Sequence, residues 1–101
     1  MLYRMANDGQ AVTVALEGQL NFAANEEFST LLGELSDVEK GRVIFDLSSL
    51  SHMDSVGLGL LYIAKEELDT HGTAMCLAKP RSAVLRLLEL TEADKTFNIK
   101  P

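Results

Sequence analysis

Apolar and polar residues change their spacing several times along the chain, and each change marks a new element. Leu2 to Ala6 reads as a short strand. Asn7-Asp8-Gly9-Gln10 follows, and Asn, Asp and Gly tolerate the backbone angles of a tight hairpin. Val12, Val14 and Leu16 then alternate with Thr13, Ala15 and Glu17, the two-residue period of a half-buried strand that Gly18 closes. The two strands form an antiparallel hairpin. Gln19 to Asn21 is a short loop, and the Asn21 side chain is placed to cap the helix that follows. In that helix Phe28, Leu31, Leu32 and Leu35 recur at helical spacing among Glu26, Glu27 and Glu34. The polar stretch Ser36 to Gly41 ends it.

Arg42 to Leu47 is short and largely apolar, as expected of a central strand buried on both faces between parallel neighbours. Ser48 to Met53 reads as a loop. A second helix runs from Ser55 or Val56 to Thr70 with Leu60, Leu61, Ala64 and Leu68 as its core stripe, and Gly72 stops it. Thr73 to Ala78 is another strand. Lys79-Pro80 breaks it, and Pro80 suits the first position of a third helix whose buried face is Val84, Leu87, Leu88 and Thr91. Thr96 to Ile99 is a final edge strand. The order ββαβαβαβ, with right-handed crossovers, predicts an α/β fold. Its mixed four- to five-stranded sheet is flanked by about three main helices, in a single domain over residues 1–101.

Charge and composition narrow the function classes. Nine Lys and Arg against fifteen Asp and Glu leave a net charge of −6, without the clustered cations that a nucleic-acid backbone requires. Met1-Leu2-Tyr3-Arg4-Met5 lacks the apolar core of an export signal, and no run nears the roughly 18 apolar residues of a membrane span. The expectation is a cytoplasmic domain with no membrane insertion. Cys76, the one cysteine, fits a reducing setting and reads as inert core.

The chemistry concentrates in Ser51-His52-Met53-Asp54-Ser55-Val56-Gly57-Leu58-Gly59, where a strand-loop unit passes into a helix. A helix start offers unpaired N–H groups and a partial positive charge, so it accommodates an anion. The plain alternative is capping by Asp54 or Ser55. Gly57 and Gly59 each cost roughly 1 kcal/mol in a helix relative to Ala, which suggests that something approaches this backbone closely. Leu58 and Tyr62, four residues apart and off the core stripe, are expected to form an exposed apolar patch beside Ser55.

Enzymatic readings fare poorly. No Gly-x-Ser-x-Gly elbow surrounds Ser55, because Met53 stands where its first Gly would be, and His52 and His71 read as surface or half-buried residues. Cys76, His52 and His71 lack metal-ligand spacing, and no phosphate-cradling Lys-Ser/Thr loop occurs. Asp46 near the end of its strand suggests a phospho-aspartate receiver, yet Glu17 is the only acid on the early strand to help hold Mg²⁺. Asp46 reads instead as an acceptor for loop N–H groups. The expectation is no catalytic residue, no metal and no cofactor.

Val43-Ile44-Phe45-Asp46-Leu47-Ser48-Ser49-Leu50 followed by Met53-Asp54-Ser55-Val56-Gly57-Leu58-Gly59 resembles the STAS domain of bacterial anti-sigma factor antagonists. Glu17-Gly18-Gln19-Leu20-Asn21 resembles that family's early Gly-x-Leu-Asp segment. Leu77-Ala78-Lys79-Pro80 through Leu87, Leu88 and Thr91 resembles its strand-helix end, so the likeness covers essentially the whole chain. The resemblance implies a STAS fold and phosphorylation-dependent partner switching in transcription regulation. The unphosphorylated domain would bind an anti-sigma factor, often itself a serine kinase, and free the sigma factor. Phosphorylation at Ser55 would weaken binding, and a PP2C-type serine phosphatase would reverse it. Asn21, Asp54, Ser55, Val56, Gly57, Leu58 and Tyr62 are the expected partner-binding residues. Three positions depart from better-known members: Asn21 where Asp is common, Val56 where Ser or Thr is frequent, and His52 in place of an aromatic residue. A constitutive STAS subunit of an ABC-type lipid transporter, or a signalling scaffold, is the alternative.

Overall fold

The computed structural model describes residues 1–37 and 41–101. Strands β1 (Leu2–Asn7) and β2 (Ala11–Leu20) form the hairpin, its turn closed by Asn7 and Asp8 carboxamide and carboxylate oxygens that accept the N–H groups of Gly9 and Ala11. Helix α1 (Asn25–Ser36), strand β3 (Arg42–Met53), helix α2 (Ser55–Thr70), strand β4 (Ala74–Ala78), helix α3 (Ser82–Leu90) and strand β5 (Asn98–Lys100) follow. The polar stretch expected over Ser36 to Gly41 falls in part on residues 38–40, which lie outside the described residues.

The sheet order is β1-β2-β3-β4-β5, with β1 antiparallel to β2 and every later pair parallel. Each parallel crossover therefore steps in the same direction across the sheet. A right-handed crossover fixes the side on which its helix lies, so α1, α2 and α3 all stack on one face. Burial agrees: Val12, Val14 and Leu16 of β2, Val43, Phe45 and Leu47 of β3, and Leu77 of β4 are fully enclosed beneath the helices. Phe28 of α1 stacks on Phe45 with ring centroids 6.2 Å apart, and Leu31, Leu35, Leu61, Ala64, Val84 and Leu88 complete the same core.

On the other face Thr13, Ala15, Ile44 and Asp46 are only half-buried. The expectation that Arg42 to Leu47 is buried on both faces is thus corrected: no crossover steps back to cover the second side. Cys76 is buried there beside Ile44.

Several boundaries also differ from the sequence reading. Ser48 to Met53 is strand, not loop, because β2 continues beside it as far as the Leu20–Met53 pair. Gly18 does not close β2; with φ +89 it lies next to a register shift, a conformation glycine adopts at little cost. Pro80 is not the first residue of α3. Lys79, at φ +55, turns the chain to donate its N–H to the Lys100 carbonyl at 2.7 Å, and the helix begins only at Ser82. The final strand starts at Asn98, since Thr96 ends a 3₁₀ turn and Phe97 is buried in the core.

Candidate functional site

The parallel strands end at different heights, and β2 and β3 run furthest, so the Leu20–Asn21 corner meets the Met53–Asp54 corner. Asp54 joins them. Its N–H donates to the Leu20 carbonyl at 3.4 Å, its Oδ1 accepts the Gly57 N–H at 2.8 Å, and its carbonyl accepts the Leu58 N–H at 2.9 Å. Asp54 is therefore the N-cap of α2, one of the two caps the sequence allowed.

Ser55, the first residue of the helix, is released from that duty. It is exposed, and among the described residues its hydroxyl makes no hydrogen bond. Val56 beside it is 45% exposed.

Gly57 is buried, and the close approach that its glycine implies is internal. A Cβ there would stand 1.9 Å from the Leu20 carbonyl oxygen and 2.7 Å from the carbonyl carbon. Gly59 has nothing within 4 Å of a Cβ, so the two glycines do not share a cause. Leu58, expected on an exposed patch, is 6% exposed: tucking Gly57 against β2 turns the next side chain into the core. Tyr62 is partly exposed but leans on Phe97, with ring centroids 4.7 Å apart. Leu58 and Tyr62 therefore do not make a shared surface patch.

Asn21 caps a 3₁₀ turn over Phe22–Ala24 and not α1 itself; its Oδ1 accepts the Ala23 N–H at 3.0 Å, while its Nδ2 donates to Gln19 Oε1 at 3.1 Å. That turn packs against α2 and carries Phe22, whose side chain is 75% exposed. Val56, Gly59 and Ile63, at i, i+3 and i+7, lie along one outward face of α2, with Ile63 also solvent-exposed. On this turn and this face of α2 the well-exposed large apolar residues are thus Phe22, Val56 and Ile63. Sequence periodicity missed Phe22 and Ile63; the signal available was that neither fits the core stripes of α1 or α2.

Acids dominate the first two helices: α1 carries Glu26, Glu27 and Glu34, and α2 carries Glu66, Glu67 and Asp69 against the single cation Lys65, which pairs with Asp69 at 2.9 Å. His52 is exposed on the strand before the site, opposite Gln19. Asp46 lies further back on β3. Burial pushes its carboxyl up, but hydrogen bonds from the Ser48 N–H and side chain and the nearby Lys79 charge outweigh that and hold it below the ordinary 3.8. It serves the Ser48 N–H, two residues on within the same strand. Among the described residues no group of three or more His, Cys, Asp or Glu is placed to hold a metal ion, and no helix is long and apolar enough to cross a membrane.

Residues 3–101 match the family model for the STAS domain. A STAS-domain containing protein of Pseudomonas aeruginosa is 24% identical over 92 residues, covering 91% of this chain and 90% of the relative. Among solved structures, an anti-sigma factor antagonist from Mycobacterium paratuberculosis superposes with a TM-score of 0.86 at 22% identity, covering 99% of this chain and 85% of the other. The anti-sigma factor antagonist SpoIIAA in its unphosphorylated form gives 0.79 at 19% identity, covering 97% and 87%. A sulfate transporter family protein from Wolinella succinogenes gives 0.76 at 13% identity, covering 89% and 75%. At these identities the structural likenesses show the fold alone.

Proposed function

The chain belongs to the STAS domain family, and from that premise we propose that it is an anti-sigma factor antagonist switched by phosphorylation of Ser55. The unphosphorylated domain docks on an anti-sigma factor that is also a serine kinase, and the sigma factor is released. The kinase then moves the γ-phosphoryl of ATP to Ser55 Oγ, with ADP leaving and the hydroxyl proton passing to a base on the kinase. A PP2C-type serine phosphatase hydrolyses the ester and restores the binding form. Of the expected partner-binding residues, Ser55 and Val56 are exposed, Asn21 is half-buried and Tyr62 stands at the margin. Gly57, Leu58 and Asp54 act by shaping the helix start.

One observation carries this reading: the helix cap is Asp54, which leaves Ser55 exposed, unbonded and replaceable. Phosphate adds about −1.5 to −2 charge at neutral pH. The start of α2 offers such a charge about 0.3–1 kcal/mol, and the neighbouring cap carboxylate opposes it. The fold therefore tolerates the modification, whereas a partner shaped around a neutral hydroxyl does not. In the rival reading, a constitutive transporter subunit, the same helix face would bind an ATPase subunit and Ser55 would be a cap; Asp54 in the capping position favours the switch.

The test is phosphorylation of the purified chain by its cognate anti-sigma factor kinase, with the modified residue located by mass spectrometry. Modification at Ser55, lost in Ser55→Ala, supports the reading. Transfer to any other residue, or undiminished kinase binding by Ser55→Asp, refutes it.

A further inference from the structure

Strand β3 continues from Leu47 to Met53 past Asp46, the last residue that pairs with β4. On that side α3 takes the place of β4 and packs against β3. Between them is a concavity in two adjoining parts of about 560 and 490 Å³, which share Ser48 and Arg81 as walls. Each part falls within the roughly 300–1,000 Å³ typical of small-molecule sites. It lies outside the Ser55 surface and shares no residue with it.

The lining has two characters. Leu85, Ile99 and the buried Pro80 form an apolar side, and Leu85 remains 37% exposed there. Lys79 and Arg81 stand over it, and among the described residues neither forms an ion pair. Asp46, a carboxylate that feels the Lys79 charge, is engaged by Ser48 of its own strand, and Pro101 completes the lining. Ser51 donates its hydroxyl to the Gly18 carbonyl at 2.8 Å, but the hydroxyls of Ser49 and Ser82 make no hydrogen bond among the described residues. Two unpaired cations and two unused hydroxyls thus face one cavity in a chain whose net charge is −6. Of the other cations, Arg4, Lys65 and Lys95 each pair with a carboxylate, as Lys79 and Arg81 do not. Here they border a concave apolar wall, so a bound anion would gain contact as well as charge.

We infer that this β3–α3 corner binds a small organic anion, a phosphate monoester or a carboxylate attached to an apolar ring or short chain. The charged head meets Lys79, Arg81 and the hydroxyls of Ser49 and Ser82, and the apolar body lies on Leu85 and Ile99. This site is independent of the phosphoswitch and stands or falls without it.

Titration of the full ¹⁵N-labelled chain, followed by amide resonances, tests the site with four probes: phenyl phosphate, phenylacetate, inorganic phosphate and benzyl alcohol. The expected result is a saturable shift at Ser49, Ser82 and Leu85 with at least one of the two organic anions, and which of them binds identifies the head group. Inorganic phosphate should bind about tenfold more weakly and benzyl alcohol should not saturate. Arg81→Ala and Lys79→Ala should each weaken binding about tenfold, with the amides of Ser55 to Gly57 unmoved. Leu85→Glu, at an exposed position, should abolish binding even if a cationic variant failed to fold. Equal binding of inorganic phosphate, shifts centred on Ser55, indifference to Arg81→Ala, or no saturation with either organic anion would overturn the inference.

Discussion

Gly57 and Gly59 sit two residues apart on the same helix, yet replacing each with alanine should move stability in opposite directions. At Gly57 the added methyl would lie 1.9 Å from the Leu20 carbonyl oxygen, well inside any real carbon–oxygen contact, and the atom it meets is backbone. Either the start of α2 or the end of β2 must move by more than an ångström. Overpacking of this kind costs about 1–3 kcal/mol. The same movement pulls apart the Asp54 N–H and Leu20 carbonyl, a bond of 3.4 Å whose net worth is about 0.5–1.5 kcal/mol. Alanine returns about 1 kcal/mol through helix propensity. The net expectation for Gly57→Ala is a loss of about 2 kcal/mol. Gly59→Ala meets nothing within 4 Å, so it should gain up to about 1 kcal/mol.

Urea unfolding of the three proteins, followed by far-ultraviolet circular dichroism, measures both effects. With a slope of about 1–3 kcal/mol per molar urea, the Gly57→Ala midpoint should fall by roughly 1 M and the Gly59→Ala midpoint should rise. Equal or greater stability of Gly57→Ala would refute the reasoning. A consequence for function studies is that a bulky residue at position 57 reports on folding before it reports on docking.

Other perturbations follow from the same contacts. Leu61→Ala removes a fully buried side chain from the middle of the core and should cost about 2–5 kcal/mol by chemical denaturation. Asp54→Ala should cost about 0.5–2 kcal/mol through the lost cap, and Asp54→Asn should recover much of it, read as a shift in the unfolding midpoint. Asp46, whose carboxyl is held below 3.8 in the fold, contributes stability that is complete above its unfolded value. That contribution is lost as pH falls through the lower folded value. Wild type and Asp46→Asn should therefore differ most near neutral pH and converge in acid, as measured by thermal unfolding across pH.

The elements that local pattern reveals are those whose burial is set by their own spacing. Val12, Val14 and Leu16 alternate because one face of β2 is covered, and Leu60, Leu61, Ala64 and Leu68 share one side of α2. Ser48 to Met53 escaped because its strand character comes from β2, a segment some thirty residues away, and serine-rich sequence carries no local strand signal. Leu58 was misplaced for a related reason: its direction depends on Gly57 resting against Leu20, which no periodicity encodes. The site itself was legible where chemistry depends on neighbours in sequence. Asp54 before Ser55 at a helix start suffices to expect a cap, although two candidates remained until the Gly57 N–H was seen to choose Asp54. Phe22 was invisible because an exposed aromatic residue in a turn matches no core template.

The directions of the strands decide where a label can be attached. Because β1 runs against the others, Leu2 lies level with Glu17, near the ends from which β2 and β3 pass to Asn21 and Asp54. Lys100 leaves β5 at the same end, level with Ala78 and Asp46. Four strand spacings of about 4.8 Å separate the outer strands, and both points lie toward the end of the sheet that carries Ser55. A bulky tag fused at either point would therefore extend toward that end of the sheet and not away from it. The Asn7–Gln10 hairpin, joined to Gly41 by a 2.8 Å hydrogen bond, is at the far end of the sheet. A fluorophore on a cysteine introduced there would report binding without standing in its way.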